Sequence, residues 1–168
     1  MITNISKTTD IGGCDHRQRG FTLLETLLSL TIIIAIMVLA YPAVEKPYTA
    51  EKLKDEAYYL MWTMRGLRQE AITSGQYCGI KFYPYDASYL ICHASNRQEH
   101  VLDETVDFVG TTTFSNWQGT PACFFNAAGT PLSGGTVTIK NDAGEYLYII
   151  VSAVGGRVRV SETPPGSH

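Results

Sequence analysis

Residues 17–42, RQRGFTLLETLLSLTIIIAIMVLAYP, decide the architecture of this chain of 168 residues. Residues 21–40 are almost entirely apolar, and a helix of that length is about 30 Å long, which matches the hydrocarbon core of a bilayer. The one charged side chain in this run is that of Glu25. The stretch therefore predicts a membrane-spanning helix that carries a carboxylate near its start.

The residues on either side of the apolar run predict its orientation. His16, Arg17 and Arg19 precede the run, and cationic flanks stay on the cytoplasmic side of a membrane. We therefore expect a single-pass protein of the cytoplasmic membrane with its N-terminus in the cytoplasm. A carboxylate in a membrane helix costs about 2.5 to 3.5 kcal/mol near the bilayer centre and somewhat less toward an interface, so Glu25 is expected to meet an opposite charge.

A small residue, Gly20, precedes the apolar run, whereas the cleavage site of a secretory signal follows it. A cut after Gly20 removes a polar leader and leaves the hydrophobic helix on the mature protein. The expected organisation has four parts. They are a leader over residues 1–20, a transmembrane and assembly helix over 21–41, an extramembrane continuation over 42–75 and a β-rich globular domain over 76–168.

Residues 20–25, Gly-Phe-Thr-Leu-Leu-Glu, closely resemble the signal of type IV prepilins. The resemblance implies cleavage after Gly20 by prepilin peptidase, N-methylation of Phe21 and an assembly role for Glu25, which in that family faces the terminal amine of a neighbouring subunit. It also implies the partners of this chain: the peptidase, other pilins or pseudopilins, the inner-membrane assembly platform and membrane lipid.

A second helical pattern follows the apolar run. Pro42 and Pro47 predict a kink or a break, because an interior proline removes a backbone hydrogen bond. Beyond them, apolar residues recur at steps of three and four until Gly75, so one face is expected to pack on a sheet. The residues of this face are Leu53, Ala57, Leu60, Met64, Leu67 and Ala71. Three aromatic residues are expected in the core and its rim, or in a filament contact: Tyr58, Tyr59 and Trp62.

The composition after Gly75 is typical of strands and turns. Residues 75–93 predict a hairpin that turns at residues 84–87. Further strands are expected at residues 105–109, 122–126, 135–140, 146–152 and 157–160. The predicted fold class is α+β, with a long N-terminal helix packed on a mainly antiparallel C-terminal sheet domain, as in pilins.

Three later segments resemble the GspH/FimT class of minor pseudopilins: residues 67–75, 124–139 and 149–160. This resemblance implies a minor subunit of a type II secretion or type IV pilus filament, with the globular domain in the periplasm or outside the cell. One alternative is a DNA-binding minor pilin for natural transformation. A second alternative is a generic domain on a single-span anchor.

The DNA-binding alternative depends on residues 156–159, Gly-Arg-Val-Arg, which fit a motif of FimT-like proteins. On a strand, Arg157 and Arg159 share one face and could contact phosphates of double-stranded DNA without reading its sequence. The other interpretation is that Val158 and Val160 point inward and both arginines form a solvated face. Three further cations could enlarge a basic patch: Lys81, Arg97 and Lys140.

The cysteines fit an exported protein in which disulfides are permitted. One of the four lies in the leader, and three remain after cleavage: Cys78, Cys92 and Cys123. In a hairpin with a three-residue loop, Tyr83 pairs with Ala87, and Cys78 then lies opposite Cys92. A disulfide between these two cysteines is the candidate bridge.

Composition and motifs argue against other classes of function. Removing three basic and two acidic leader residues leaves ten basic and 14 acidic side chains, which does not indicate a nucleic-acid binder. Asp103, Glu104 and Asp107 could bind calcium, but a solvated loop is the simpler interpretation. No catalytic signature and no CxxC spacing occurs, so we expect no enzymatic activity, no cofactor and no metal.

Overall fold

The structure is a computed structural model that describes residues 22–110 and 112–166, with residues 39–47 described by their backbone alone. The chain divides into two compact units, Met1–Ala40 and Tyr41–His168.

A single helix, α1 (Leu23–Ser74), contributes to both units. Its backbone is helical at Pro42 and Pro47, so a break at these prolines is wrong, and the alternative of a kink stays a prediction. Proline removes one hydrogen bond, but its fixed φ is close to the helical value. The helix ends before Gly75, whose φ of 69° is left-handed, and the predicted stop is confirmed.

In the first unit, α1 begins directly after Thr22. The Thr22 hydroxyl accepts a hydrogen bond from the Glu25 backbone N–H at 3.3 Å, and the Thr22 carbonyl accepts one from the same group at 3.0 Å. A threonine followed three residues later by a glutamate is a common helix-capping pattern. The apolar side chains of residues 23–38 are exposed in this unit. No helix among the described residues has both the length and the apolar character needed to cross a membrane.

In the second unit, one face of α1 is buried as predicted. The six residues of that face are at most 2% exposed: Leu53, Ala57, Leu60, Met64, Leu67 and Ala71. They belong to one core cluster with apolar residues of the strands. The helix therefore packs against the sheets through the stripe that its periodicity identifies.

The aromatic residues Tyr58, Tyr59 and Trp62 are 51%, 44% and 61% exposed. The Tyr59 ring stacks on the His100 ring at a centroid distance of 4.7 Å, and the Arg65 guanidinium lies 4.9 Å from the Trp62 ring. The predicted packing in the core and its rim is therefore confirmed for the rim and wrong for the core. These rings lie at the rim, where contacts with polar neighbours cover them in part.

Nine strands follow α1 within the described residues. Their bounds are β1 Cys78–Tyr83, β2 Ser88–Cys92, β3 Arg97–Val101, β4 Val106–Phe108, β5 Asn116–Trp117, β6 Thr120–Phe125, β7 Gly135–Asn141, β8 Tyr146–Val151 and β9 Val158–Ser161. One sheet has the order β3-β2-β1-β6-β5, and the other has the order β4-β7-β8-β9. All the neighbouring strands are antiparallel, which confirms the α+β class.

Two strands were not predicted. β3 reads RQEHV and lies at a sheet edge, where four of its five residues are exposed, so it lacks an apolar alternation. β5 has only two residues. Both lie in the segment between β2 and β6, which is the part of the chain with the weakest sequence pattern.

The β1–β2 hairpin differs from its predicted register by one residue. Residues 84–87 form a four-residue loop, in which Pro84–Asp86 is a 3₁₀ turn and Ala87 has a φ of 45°. Tyr83 therefore pairs with Ser88, and Cys92 pairs with Gly79. A shift of one residue moves a side chain to the other face of the sheet.

This register corrects the disulfide prediction. Cys78 lies in the main core with α1, whereas Cys92 lies on the opposite face beside Phe124. Cys78, Cys92 and Cys123 are all free and buried in the structure. The expected Cys78–Cys92 bridge is wrong, because the two side chains are separated by the sheet.

Candidate functional site

Of the residues of the predicted prepilin signal that have an expected role, the structure describes Glu25. Gly20 and Phe21, the expected cleavage and methylation positions, lie outside the described residues. Glu25 lies in the first helical turn with its side chain exposed, and its carbonyl accepts a hydrogen bond from the Ser29 hydroxyl at 2.7 Å. A carboxylate in the first turn interacts favourably with the helix dipole. Glu25 thus presents a negative charge at the N-terminal end of an apolar helix.

Arg157 and Arg159 lie at the start of the last strand. Arg157 immediately precedes β9 and Arg159 is its second residue, and both side chains are exposed. Val158 between them is 2% exposed and belongs to the core, and Val160 packs against it. The inward valines and outward arginines match the interpretation of a solvated strand face.

The expected basic patch is divided between the two sheets. Lys81 on β1 and Arg97 on β3 belong to one sheet, whereas Lys140 on β7 and Arg159 on β9 belong to the other. Asp107 pairs with Lys140 across β4 and β7. Of these three further cations, Lys140 alone lies on the same sheet as Arg159.

Two arginines on α1, which the sequence pattern did not identify, bind backbone carbonyls. Arg65 donates from Nε and Nη2 to the Val158 carbonyl at 3.2 and 2.7 Å. Arg68 donates from Nε to the Gly129 carbonyl at 2.9 Å. Charge-assisted hydrogen bonds of this kind are stronger than those between neutral groups. They attach the helix to β9 and to the loop that follows β6.

The three segments that resemble minor pseudopilins meet at Arg68. A Cβ placed on Gly156 would lie 2.7 Å from the Gly129 carbonyl oxygen and 3.2 Å from Arg68 Nε. A Cβ on Gly129 would lie 2.6 Å from a methyl group of Ile72. Gly156 also has a left-handed φ of 63°. Glycines at both positions therefore let two loops approach the helix closely, which is a structural role.

Two glutamates on α1 bind histidines near the two ends of β3. The Glu70 carboxylate lies 2.6 Å from His93 Nδ1, and it accepts a hydrogen bond from the Ala94 N–H at 2.9 Å. Glu56 contacts His100 Nε2 at 3.0 Å. The pKa of Glu70 is lowered, first by the His93 hydrogen bond and then by the Ala94 amide. These pairs had no recognisable sequence signal, because their members are distant in the chain.

One member of the acidic cluster after β3, Asp103, makes structural contacts. Asp103 accepts hydrogen bonds from the Thr105 N–H at 3.1 Å and hydroxyl at 2.8 Å, and it lies 3.3 Å from Lys52. The Thr105 amide, the Thr105 hydroxyl and Lys52 lower the pKa of Asp103. Within the part of the chain that the structure describes, no group of three or more His, Cys, Asp or Glu residues is placed to hold a metal ion.

A capped apolar helix that leads into an antiparallel sheet domain is the architecture of pilin-like filament subunits. Residues 57–155 match the sequence model of the family described as Type II transport protein GspH, which is more than half of the chain. Residues 15–41 match the Prokaryotic N-terminal methylation motif. The chain belongs to the GspH family.

Solved structures of two minor subunits share the fold. The minor pseudopilin EpsH from the Type 2 Secretion System of Vibrio cholerae is 19% identical, with a TM-score of 0.52 over 69% of this chain and 99% of that chain. The type IV minor pilin FimU of Pseudomonas aeruginosa is 16% identical, with a TM-score of 0.52 over 67% of this chain and 90% of that chain. No curated protein sequence is significantly similar to this chain.

Proposed function

We propose that this chain is a minor pseudopilin or minor pilin of a type II secretion or type IV pilus filament, with a structural rather than a catalytic role. One observation carries the proposal: the methylation motif over residues 15–41 and the GspH match over residues 57–155 occur in one chain and in the order that a filament subunit requires. The description of the matched family favours the secretion filament.

The proposed processing follows from the prepilin signal. Prepilin peptidase cuts after Gly20, and the new N-terminus at Phe21 is methylated. The subunit is stored in the inner membrane through residues 21–41, with the leader in the cytoplasm and the second unit in the periplasm. The exposed apolar side chains of residues 23–38 support this step, because large exposed apolar surfaces need lipid or protein around them.

The proposed assembly step uses Glu25. Its exposed carboxylate would pair with the terminal amine at Phe21 of a neighbouring subunit as the helix leaves the membrane. A buried carboxylate is tolerated when an opposite charge lies within about 4 to 6 Å. Other pilins and the inner-membrane assembly platform are the partners in this step.

The two alternatives are not favoured. A generic anchored domain does not account for the GspH match. The DNA-binding role depends on Arg157 and Arg159, whose exposure on a solvated strand face is equally expected of a subunit that binds no DNA. A DNA-binding measurement with and without these two arginines distinguishes the two roles.

The test is to express Glu25→Ala in the source organism and to measure both processing and filament incorporation. We expect normal loss of the leader, seen as the mass of the mature chain, and strongly reduced recovery in the sheared filament fraction. Glu51→Ala is the matched control, because Glu51 is an exposed glutamate of the same helix. Normal incorporation of Glu25→Ala would contradict the assembly role, and a bulky residue at Gly20 should leave the leader attached.

A further inference from the structure

The outer face of the first sheet contains a polar cavity of about 640 Å³ on the side away from α1. Its floor includes Cys92 and Phe124, which form a small second core with Ala122 and Leu90. Phe124 lies directly over Gly79, where a Cβ would approach its ring to 2.7 Å. The glycine therefore lets an aromatic ring lie flat on this face of the sheet.

Aromatic residues form one side of the cavity. Trp117 packs on Phe124 at a centroid distance of 5.4 Å and on Tyr77 at 6.4 Å. Trp117 is nevertheless 40% exposed, and Tyr77 is 57% exposed. Exposed tryptophan, tyrosine and arginine are the residue types that dominate binding energy in protein interfaces.

Two cations form the other sides. Lys81 donates to the neutral side-chain oxygen of Gln118 at 3.1 Å, and Arg97 is exposed at the start of β3. None of the described residues that line the cavity is a carboxylate, in a chain whose net charge is −3. Glu70 lies behind the lining, where it binds His93 and Ala94. The cavity thus has two positive charges that no lining residue neutralises.

The spacing of the cations matches an extended peptide. Lys81 and Arg97 lie on strands that are separated by β2, and their registers differ by two residues, so their Cα atoms are about 12 Å apart. In an extended chain, residues i and i+4 share a face and are about 13 Å apart. A nucleic-acid strand is held instead by a continuous track of cations, which two isolated side chains do not supply.

We propose that this cavity is a docking site for an acidic, extended segment of another polypeptide. Two of its carboxylates bind Lys81 and Arg97, and an apolar side chain rests on Tyr77 and Trp117. The complementary charge selects the partner and speeds its association, while the aromatic contacts supply affinity. This inference does not depend on which filament system the chain serves.

The test measures fluorescence anisotropy of a labelled peptide, Leu-Ser-Glu-Ser-Ser-Ser-Glu, with the full-length protein in nonionic detergent. We expect saturable binding at low ionic strength that weakens as salt is raised. Lys81→Ala/Arg97→Ala should weaken binding by about tenfold or more. Lys140→Ala/Arg159→Ala, which removes the same charge from the other sheet, should change it less than about twofold, since separated sites act independently.

Four results would overturn the proposal. The first two are no binding of the peptide by the unmodified protein and an equal loss of peptide affinity in both double variants. The other two are equal affinity for a peptide with Gln in place of Glu and tighter binding of a deoxythymidine oligonucleotide through Lys81 and Arg97. Neither Lys81 nor Arg97 belongs to a core cluster, and circular dichroism verifies that the variants are folded. In a Trp62→Phe background, the emission of Trp117 should change when the acidic peptide binds.

Discussion

The guanidinium of Arg65 binds the backbone carbonyl of Val158 through two nitrogens, at 3.2 and 2.7 Å. β9 is the edge strand of its sheet, and a carbonyl on that edge has no neighbouring strand to bind. Unpaired edges are sites where other chains can add a strand. Arg65 satisfies this carbonyl and attaches α1 to the strand that carries Arg159.

Replacing Arg65 by Leu should lower the free energy of unfolding by about 1 to 3 kcal/mol, because the Val158 carbonyl loses a charged donor. Arg65→Lys should cost less, since an ammonium can still donate one bond. Chemical denaturation of the purified protein measures both. Arg157→Leu, at an exposed position beside the same strand, is the control, and a loss as large as that of Arg65→Leu would contradict the edge-capping role.

Gly156 and Gly155 offer a matched pair of substitutions. Both have a left-handed φ, 63° and 77°, so alanine costs about 1 to 2 kcal/mol at either position. A Cβ at Gly155 meets nothing within 4 Å, whereas one at Gly156 lies 2.7 Å from the Gly129 carbonyl oxygen. Gly156→Ala should therefore lower the melting temperature clearly more than Gly155→Ala. Equal shifts would show that the loop at Gly129 relaxes without cost.

The sequence predicted the helix and its buried stripe, because Leu53, Leu60 and Leu67 repeat with the period of a helix. It did not predict β3, because four of the five residues of this edge strand are exposed and no alternation of apolar and polar residues marks it. The hairpin register depended on whether Ala87 takes a left-handed conformation, which alanine rarely does. The Arg65, Arg68 and Glu70 contacts join residues far apart in the chain, and no local pattern indicates them.

Stability should depend on pH through Glu70. Its folded pKa lies below its ordinary value of 4.5, because His93 and the Ala94 amide stabilise the carboxylate. The unfolded state therefore binds the proton first as the pH falls. The stabilisation is complete above about pH 4.5 and is lost as the pH falls through the folded pKa.

Glu70→Gln should accordingly lower the free energy of unfolding at pH 7 by about 1 kcal/mol, a modest value because both partners are partly exposed. The difference between Glu70→Gln and the unmodified protein should shrink toward pH 3. Denaturation curves at several pH values measure it. Glu51→Gln, with an exposed side chain, should show no such trend, and a constant difference at all pH values would contradict the ionic contribution.

The mature chain should contain three reduced cysteines after oxidising export. Cys78 and Cys92 lie on opposite faces of the sheet, and burial raises the pKa of Cys123 to about 12, so its thiol is also unreactive. Titration with a thiol reagent should detect little in the folded protein and three thiols in denaturant. Detection of one thiol in denaturant would show that a disulfide forms. If peptide mapping placed that disulfide between Cys78 and Cys92, the hairpin register would have to differ.

The double variant Arg157→Ala/Arg159→Ala tests whether the Gly-Arg-Val-Arg segment binds DNA or only forms a solvated strand face. Both side chains are exposed, so the variant should lose no more than about 0.5 kcal/mol of stability. Two cations neutralise few phosphates, and we expect little binding to double-stranded DNA by either protein at physiological salt. The measurement is a mobility shift over a salt series, with Lys81→Ala/Arg97→Ala as the charge-matched control. Salt-sensitive binding that is lost only in the Arg157/Arg159 variant would favour the DNA-binding minor pilin, because the two variants remove equal charge from different sheets.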